Sequence, residues 1–383
     1  MIGLPTGFTA HIANIGIKDT SDDFLVIASE VPAAAAGVFT KSRFAGPSVL
    51  ISRAAVADRR LRAFVVIAKN ANVATGPQGR ADASEIVASV AGAIGARPSE
   101  VLIASTGVIG RPYPMDAVRA HLETLEWPFT TTSAESCAHA IMTTDTVAKI
   151  AVSSVGPATI VGIAKGVGMI EPDMGTLIAL FCSDAEVWAP DLDAAFRRVI
   201  ERTFNAVSID TDTSTSDTAA IMANGLAGPV SIEAFERALY AVALLLAKQV
   251  ARDGEGAEKL IEVRVDGARD DAQAKRIAKA IVNSPLVKTA VHGADPNWGR
   301  VAMAIGKRSD EFDIDQRRVV IRFGAQETYP RLLDPPGRAA LSRYLRGDEV
   351  LIHVSLGIAT GAFTAYGCDL TAGYVRINAD YTT

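Results

Sequence analysis

The residues Leu177 to Cys182 (LIALFC) form an unbroken apolar run of strand length. The stretch before it, Lys165 to Gly175, carries Gly166, Gly168 and Gly175 around Pro172. A short run this apolar reads as a buried strand. The glycines upstream let the backbone take turns and close approaches that a Cβ resists. Thr176 stands at the join, preceded by glycine and followed by the strand. A threonine hydroxyl becomes a useful nucleophile when a base takes its proton, and an N-terminal threonine supplies that base from its own α-amine. Such an amine titrates at about 7.7–8.0, so part of it is unprotonated at neutral pH. Because Thr176 is internal, this chemistry requires the chain to cut itself between Gly175 and Thr176. Taken alone, the residues favour the plainer reading, a turn entering a core strand.

The rest of the chain supplies a large core. Its 383 residues are 49% hydrophobic and 21% charged, a globular composition, and the length calls for two domains or two lobes. Net charge is −5 with Lys and Arg scattered, which leaves no nucleic-acid footprint. Cys137, Cys182 and Cys368 are odd in number and far apart, so they form neither a disulfide framework nor a CxxC site and fit a reducing cytosol. Cys182 lies in the apolar run and reads as core. The N-terminus lacks the pattern of a signal peptide, and the longest apolar helical run, Ala238 to Ala247, is too short to span a bilayer.

Apolar periodicity predicts strands at Phe24 to Ala28, Ala63 to Ala68 and Val101 to Ala104, and helices at Ala83 to Ile94, Met115 to Leu125 and Ser133 to Met142. Lys149 to Ser153 and Ala158 to Ala164 read as strands paired around Gly156-Pro157. Helices follow at Asp191 to Phe204 and Ser231 to Arg252. The remainder predicts strands at Leu260 to Val265, Arg318 to Phe323, Val350 to Leu356, Ala362 to Cys368 and Tyr374 to Asn378, with helices at Asp271 to Val282 and Arg338 to Leu345. Pro330, Pro335, Pro336 and Gly337 mark a surface loop. The expected fold class is α/β, a layered α+β sandwich in two lobes.

Three motifs compete for chemistry. The polar run Asp210 to Thr218 resembles the start of a calcium loop, but Thr215 stands where that loop needs Gly and Ile221 where it needs Glu. It reads equally as capped turns and as an active-site loop. Ser105 to Gly110 lacks the Gly-Lys-Ser/Thr ending of a phosphate loop. Thr106 and the backbone beside Gly107 are instead suited to an oxyanion hole. The five histidines, His11, His121, His139, His292 and His353, have no metal-ligand spacing, and His121 is expected on the surface of its helix.

Several stretches together resemble the ornithine acetyltransferases (glutamate N-acetyltransferases): ASTGVIG at 104–110, AIMTTDT at 140–146, GIAKGVGMIEPDMGTL at 162–177 and NAVSIDTDTSTSDT at 205–218. DGEGAEKLIEV at 253–263, VNSPLVKTAVHGADPNWGR at 282–300 and the terminal GCDLTAGYVRINADYTT add to them, so the likeness covers nearly the whole chain in order. Within the family the chain looks closest to the version associated with clavulanic-acid-type gene clusters. The resemblance implies a fold layered like the N-terminal-nucleophile hydrolases but connected differently. It also implies self-cleavage into residues 1–175 and 176–383, with a C-terminal lobe over roughly 255–383.

By the same resemblance Thr176 is the nucleophile, Thr106 and Gly107 form the oxyanion hole, and substrate meets Thr143, Lys165, Thr176, Glu255, Asn378 and Thr383. The implied reaction is a ping-pong transfer of acetyl from N-acetylornithine to glutamate, cytoplasmic, in arginine or specialised amino-acid biosynthesis. It needs no metal and no dissociable cofactor, and the cleaved chains are expected to pair as an α2β2 heterotetramer. The chain departs from the family at Gly175, where Ala is more common, and at Glu171 and Asp173 in the acidic turn. Two other readings remain at this point: a threonine-nucleophile amidase or aminopeptidase resolved by water, and a non-catalytic amino-acid-binding protein.

Overall fold

The computed structural model describes residues 2–171 and 177–379, so Gly175, Thr176 and Thr383, three of the expected site residues, lie outside the described residues. Contacts divide the chain into two compact units. Of the described residues, one unit holds those up to Asn205 with Asp212–Leu246; the other holds Ala206–Thr211 and those from Ala247 to Ala379.

The first unit is a mixed sheet covered by helices. In chain order it contains β1 (Phe8–Ala13), β2 (Phe24–Phe39), α1 (Pro47–Ala55), β3 (Arg60–Asn70), α2 (Gly76–Ala93), β4 (Val101–Val108), α3 (Met115–Leu122) and α4 (Ala134–Ile141). Then come β5 (Lys149–Val155), β6 (Ala158–Lys165), β7 (Ile178–Glu186), α5 (Ala189–Arg202), β8 (Thr218–Pro229) and α6 (Ile232–Arg252), of which the residues up to Leu246 belong to this unit. The strand order is β4-β3-β2-β8-β7-β6-β5, with β1 on β2. The pairs β3–β4 and β7–β8 are parallel; the others are antiparallel. The predicted strand at 177–182 is thus central, with partners on both edges.

Alternation along the strands builds two cores. Phe24, Val26, Val65 and Ile103 pack with Ile86 and Val90 of α2 and Val118 of α3, while Leu25, Ile27, Phe64 and Leu102 belong to the opposite layer with Cys137 and Ile141 of α4. Helix α1 covers the β4 edge: Ser52 Oγ donates to the Ile103 carbonyl at 2.6 Å and accepts its N–H at 2.8 Å. Helix α2 begins upstream of its expected start because Pro77 in the first turn provides a start signal before the apolar periodicity sets in.

The second unit contains β9 (Leu260–Ala268), α7 (Asp271–Val282), α8 (Pro285–His292), α9 (Gly299–Gly306), β10 (Val320–Phe323), β11 (Gln326–Tyr329), α10 (Pro335–Leu345), β12 (Glu349–Ser355), β13 (Gly361–Cys368) and α11 (Ala372–Ala379). Its sheet runs β11-β10-β12-β9-β13, with β12 and β9 parallel. Ile261, Val263 and Val265 share a core with Ile277 and Ile281 of α7 and Leu341 and Leu345 of α10.

Two expectations are corrected here. Pro335-Pro336-Gly337 opens α10, because Asp334 caps the helix by accepting the Gly337 N–H at 2.8 Å and the prolines occupy first-turn positions that need no donor. Tyr374 to Asn378 is helical. Its strand-like alternation misled because the helix buries none of its side chains, leaving Val375 63% exposed.

Candidate active site

Thr106 and Gly107 lie near the end of β4, in parallel register with Ala68 and Lys69 of β3. Gly107 has φ +135°, and a Cβ there would sit 2.1 Å from the Lys69 carbonyl carbon, so the close strand approach requires glycine. The corner is braced from below. Ser105 Oγ donates to the Asn70 carbonyl, and the buried Tyr113 hydroxyl donates to Ser105 Oγ at 2.8 Å. Thr106 itself is buried.

Thr143 and Lys165 are joined by a residue absent from the expected set. Asp145 Oδ2 accepts the Thr143 N–H at 3.0 Å; its Oδ1 accepts the Gly166 N–H and the Lys149 ammonium, each at 2.7 Å. Both charged side chains of the Asp145–Lys149 pair are fully buried. Burial pushes the Asp145 carboxyl up, yet the Lys165 and Lys149 charges pull harder and hold it below its ordinary range. Lys165 is buried at the end of β6.

Thr143 also lines a pocket of about 500 Å³ together with Lys18, Lys69, Asp19, Asp22 and His139. Lys69 is the register partner of Gly107, so Thr106-Gly107, Thr143 and Lys165 converge on one region of the first unit. Lys18 and Lys69 were not expected there. Lys18 lies in a loop whose shape depends on Asp23, a buried carboxylate accepting the N–H groups of Ile15, Ile17 and Lys18. Lys69 has φ +70°, which no sequence pattern announced.

The run 212–217 is hydrogen-bonded to Glu171 and to Leu177. The Asp212 carbonyl accepts the Glu171 N–H at 2.8 Å, and Asp217 Oδ1 accepts the Leu177 N–H at 2.7 Å. Thr218 N–H returns to the Leu177 carbonyl at 3.0 Å. The turn-capping reading of this polar run is met at Ser214 Oγ, which accepts the Ser216 N–H at 3.1 Å. Burial pushes the Asp217 carboxyl well above its ordinary range.

In the second unit Glu255 and Asn378 meet directly: Asn378 Nδ2 donates to Glu255 Oε2 at 2.9 Å. Spacing had suggested no metal site, and the fold brings Glu258, His292 and Asp369 together with ligand-type atoms within 4.8 Å of one another. Hydrogen bonds account for this cluster, since Asp369 Oδ1 is filled by two backbone N–H groups and Oδ2 faces His292 Nδ1 at 3.0 Å. His121 is corrected from surface to half-buried, with Nε2 2.8 Å from His11 Nε2. The three cysteines are free and buried, and burial pushes the Cys182 thiol up, in keeping with a core role. Among the described residues no helix is long and apolar enough to cross a membrane.

A layered α/β protein with a threonine-glycine corner, a buried lysine and a pocket lined by both lysines and aspartates in one unit has the elements of a polar small-molecule site. The chain belongs to the ArgJ family, whose profile matches residues 9–383. It is 61% identical to glutamate N-acetyltransferase Oat2 of Streptomyces clavuligerus, over 99% of this chain and 98% of that protein. It is 55% identical to arginine biosynthesis bifunctional protein ArgJ 2 of Nostoc sp., again over 99% and 98%. A crystal structure of the arginine biosynthesis bifunctional protein ArgJ of Bacillus halodurans aligns with a TM-score of 0.49 and 42% identity, covering 53% of this chain and 98% of that one.

Proposed function

We propose that the chain is a self-cleaving acetyltransferase that moves the acetyl group of N-acetylornithine to glutamate through an ester on Thr176. The observation that carries this reading is the match along essentially the whole chain to a glutamate N-acetyltransferase at 61% identity. The geometry of the first unit supports it. In the cleavage step the Thr176 hydroxyl attacks the Gly175 carbonyl, the peptide C–N bond breaks, and water hydrolyses the resulting ester. The products are a Gly175 carboxylate and a Thr176 bearing a free hydroxyl and a free α-amine. The cut falls between β6 and β7, which pair along Ile160–Lys165 and Ile178–Ser183, so the two products share one sheet and stay together.

In the transfer the α-amine takes the Thr176 hydroxyl proton as Oγ attacks the acetyl carbonyl. The Thr106 hydroxyl and the backbone beside Gly107 stabilise the oxyanion. The proton passes to the leaving ornithine nitrogen, and the glutamate amine then attacks the ester and returns Thr176 to its starting form. Lys165 pairs with a substrate carboxylate, and Glu255 accepts from the ornithine side-chain ammonium, beside Asn378 and with Thr143 and Thr383 completing the contacts. The enzyme works in the cytoplasm as an α2β2 assembly of cleaved chains, without metal or dissociable cofactor.

Incubation with N-acetylornithine tests the reaction. Acetylglutamate forming only when glutamate is added is the expected result. Free acetate alone would mark a water-resolved amidase.

A further inference from the structure

The loop Asp253-Gly-Glu-Gly256 carries Glu255 between two glycines, a backbone with little stiffness of its own. Its order comes from the segment after β13. Asp369 Oδ1 accepts the N–H of Glu258 at 2.8 Å and of Lys259 at 2.9 Å, and the Asp369 side chain is fully buried. Thr371 Oγ1 donates to the Gly256 carbonyl at 2.6 Å. Gly256 has φ +69°, and a Cβ there would lie 2.4 Å from Tyr374 N. Lys259 Nζ donates to the carbonyls of Val291, His292 and Leu345, fixing the far end of the loop. Immediately beyond the clamp, α11 delivers Asn378 to Glu255.

We infer that Asp369 is a positioning residue for substrate binding: by holding the Glu258 and Lys259 N–H groups it fixes the loop so that the Glu255 carboxylate stands beside Asn378 at the place of the ornithine ammonium. This rests on the reading of Glu255 given above. A carboxylate buried away from solvent with one oxygen accepting two adjacent N–H groups organises that turn as a nest organises an anion, with the charge on the side chain. His292 Nδ1, on the second oxygen at 3.0 Å, orients the carboxyl group. Thr371 supplies the second tie on the same loop, so the clamp has two separable parts.

The test is a double-mutant cycle on the cleaved enzyme, reading KM and kcat for N-acetylornithine. Asp369→Ala is expected to raise KM about ten- to hundredfold, as a displaced binding group does, with kcat little changed. Asp369→Asn, whose amide oxygen still accepts both N–H groups, should restore most of the affinity. In a Glu255→Gln background, Asp369→Ala should add little. Where Asp369→Ala does not fold, Thr371→Val replaces it, with the same loss of effect expected beside Glu255→Gln. Full additivity, or a wild-type KM for the Asp369 and Thr371 variants, overturns the inference while leaving the role of Glu255 intact. A wild-type KM for Glu255→Gln removes that role, and this inference with it.

Discussion

Asp217 Oδ1 accepts the Leu177 N–H at 2.7 Å, so a fully buried carboxyl group anchors the peptide that follows Thr176. Burial pushes this carboxyl well above its ordinary range, toward its neutral form. An amide is then a fair substitute. Asp217→Asn is expected to cut itself to near wild-type extent, whereas Asp217→Leu leaves a buried N–H without its partner, at a cost of about 1–3 kcal/mol, and accumulates uncut chain. Denaturing gels over time measure both. Complete cutting by the Leu variant would remove Asp217 from the account.

Lys149 and Asp145 form an ion pair in which neither side chain is exposed. Removing only the lysine strands a buried charge, so Lys149→Met should cost about 3–5 kcal/mol in urea unfolding, and Lys149→Met with Asp145→Asn should recover part of it. Because the folded carboxyl of Asp145 lies below its ordinary value of 3.8, the unfolded chain binds its proton first. Its contribution to stability is therefore complete above that value and is lost as pH falls from there through the folded one.

His11 and His121 face each other with Nε2 atoms 2.8 Å apart, an arrangement that needs one N–H and one free lone pair. Burial holds both imidazoles below their ordinary value of 6.5. The unfolded chain thus takes up protons before the folded one, and stability should fall as pH drops below 6.5. His121→Gln should flatten that slope in thermal unfolding followed from pH 7.5 to 5.5, values set by the titration range of imidazole at about 6.5. An unchanged slope would show that the pair does not titrate on unfolding.

Thr106→Val removes one expected oxyanion donor and should lower kcat by about 10²–10³ with little change in thermal stability. Gly107→Ala differs: its Cβ would meet the Lys69 backbone at 2.1 Å, so folding as well as turnover should suffer. Steady-state kinetics beside thermal melts separate the two. Wild-type kcat in the Thr106→Val enzyme would contradict the assignment of Thr106.

The legible parts of the fold were those whose periodicity comes from burial. Strands at Phe24, Ala63, Val101 and Ile178 and the helix Asp271–Val282 follow from apolar spacing, and the structure places all of them in cores. Strand β8 was missed because its Ala and Gly residues carry little of the β-branched signal, although Ala219 to Met222 are wholly buried. Helices α8 and α9 were too short to display a period.

At the candidate site the nucleophile stretch and the Thr106-Gly107 corner could be read from residues and resemblance. Asp145, Lys18 and Lys69 could not, because their roles depend on a buried ion pair, a loop tied to Asp23 and one left-handed residue. The acidic residue in the MTTDT motif was the available signal for Asp145.

We propose that the chain cuts itself before Thr176 and carries the acetyl group there. Intact mass measurement under denaturing conditions, before and after exposure to N-acetylornithine without glutamate, tests it most directly. The account predicts two chains, residues 1–175 and 176–383, with one acetyl group added to the second and mapped to Thr176. A single uncut chain of 383 residues that still forms acetylglutamate would contradict it.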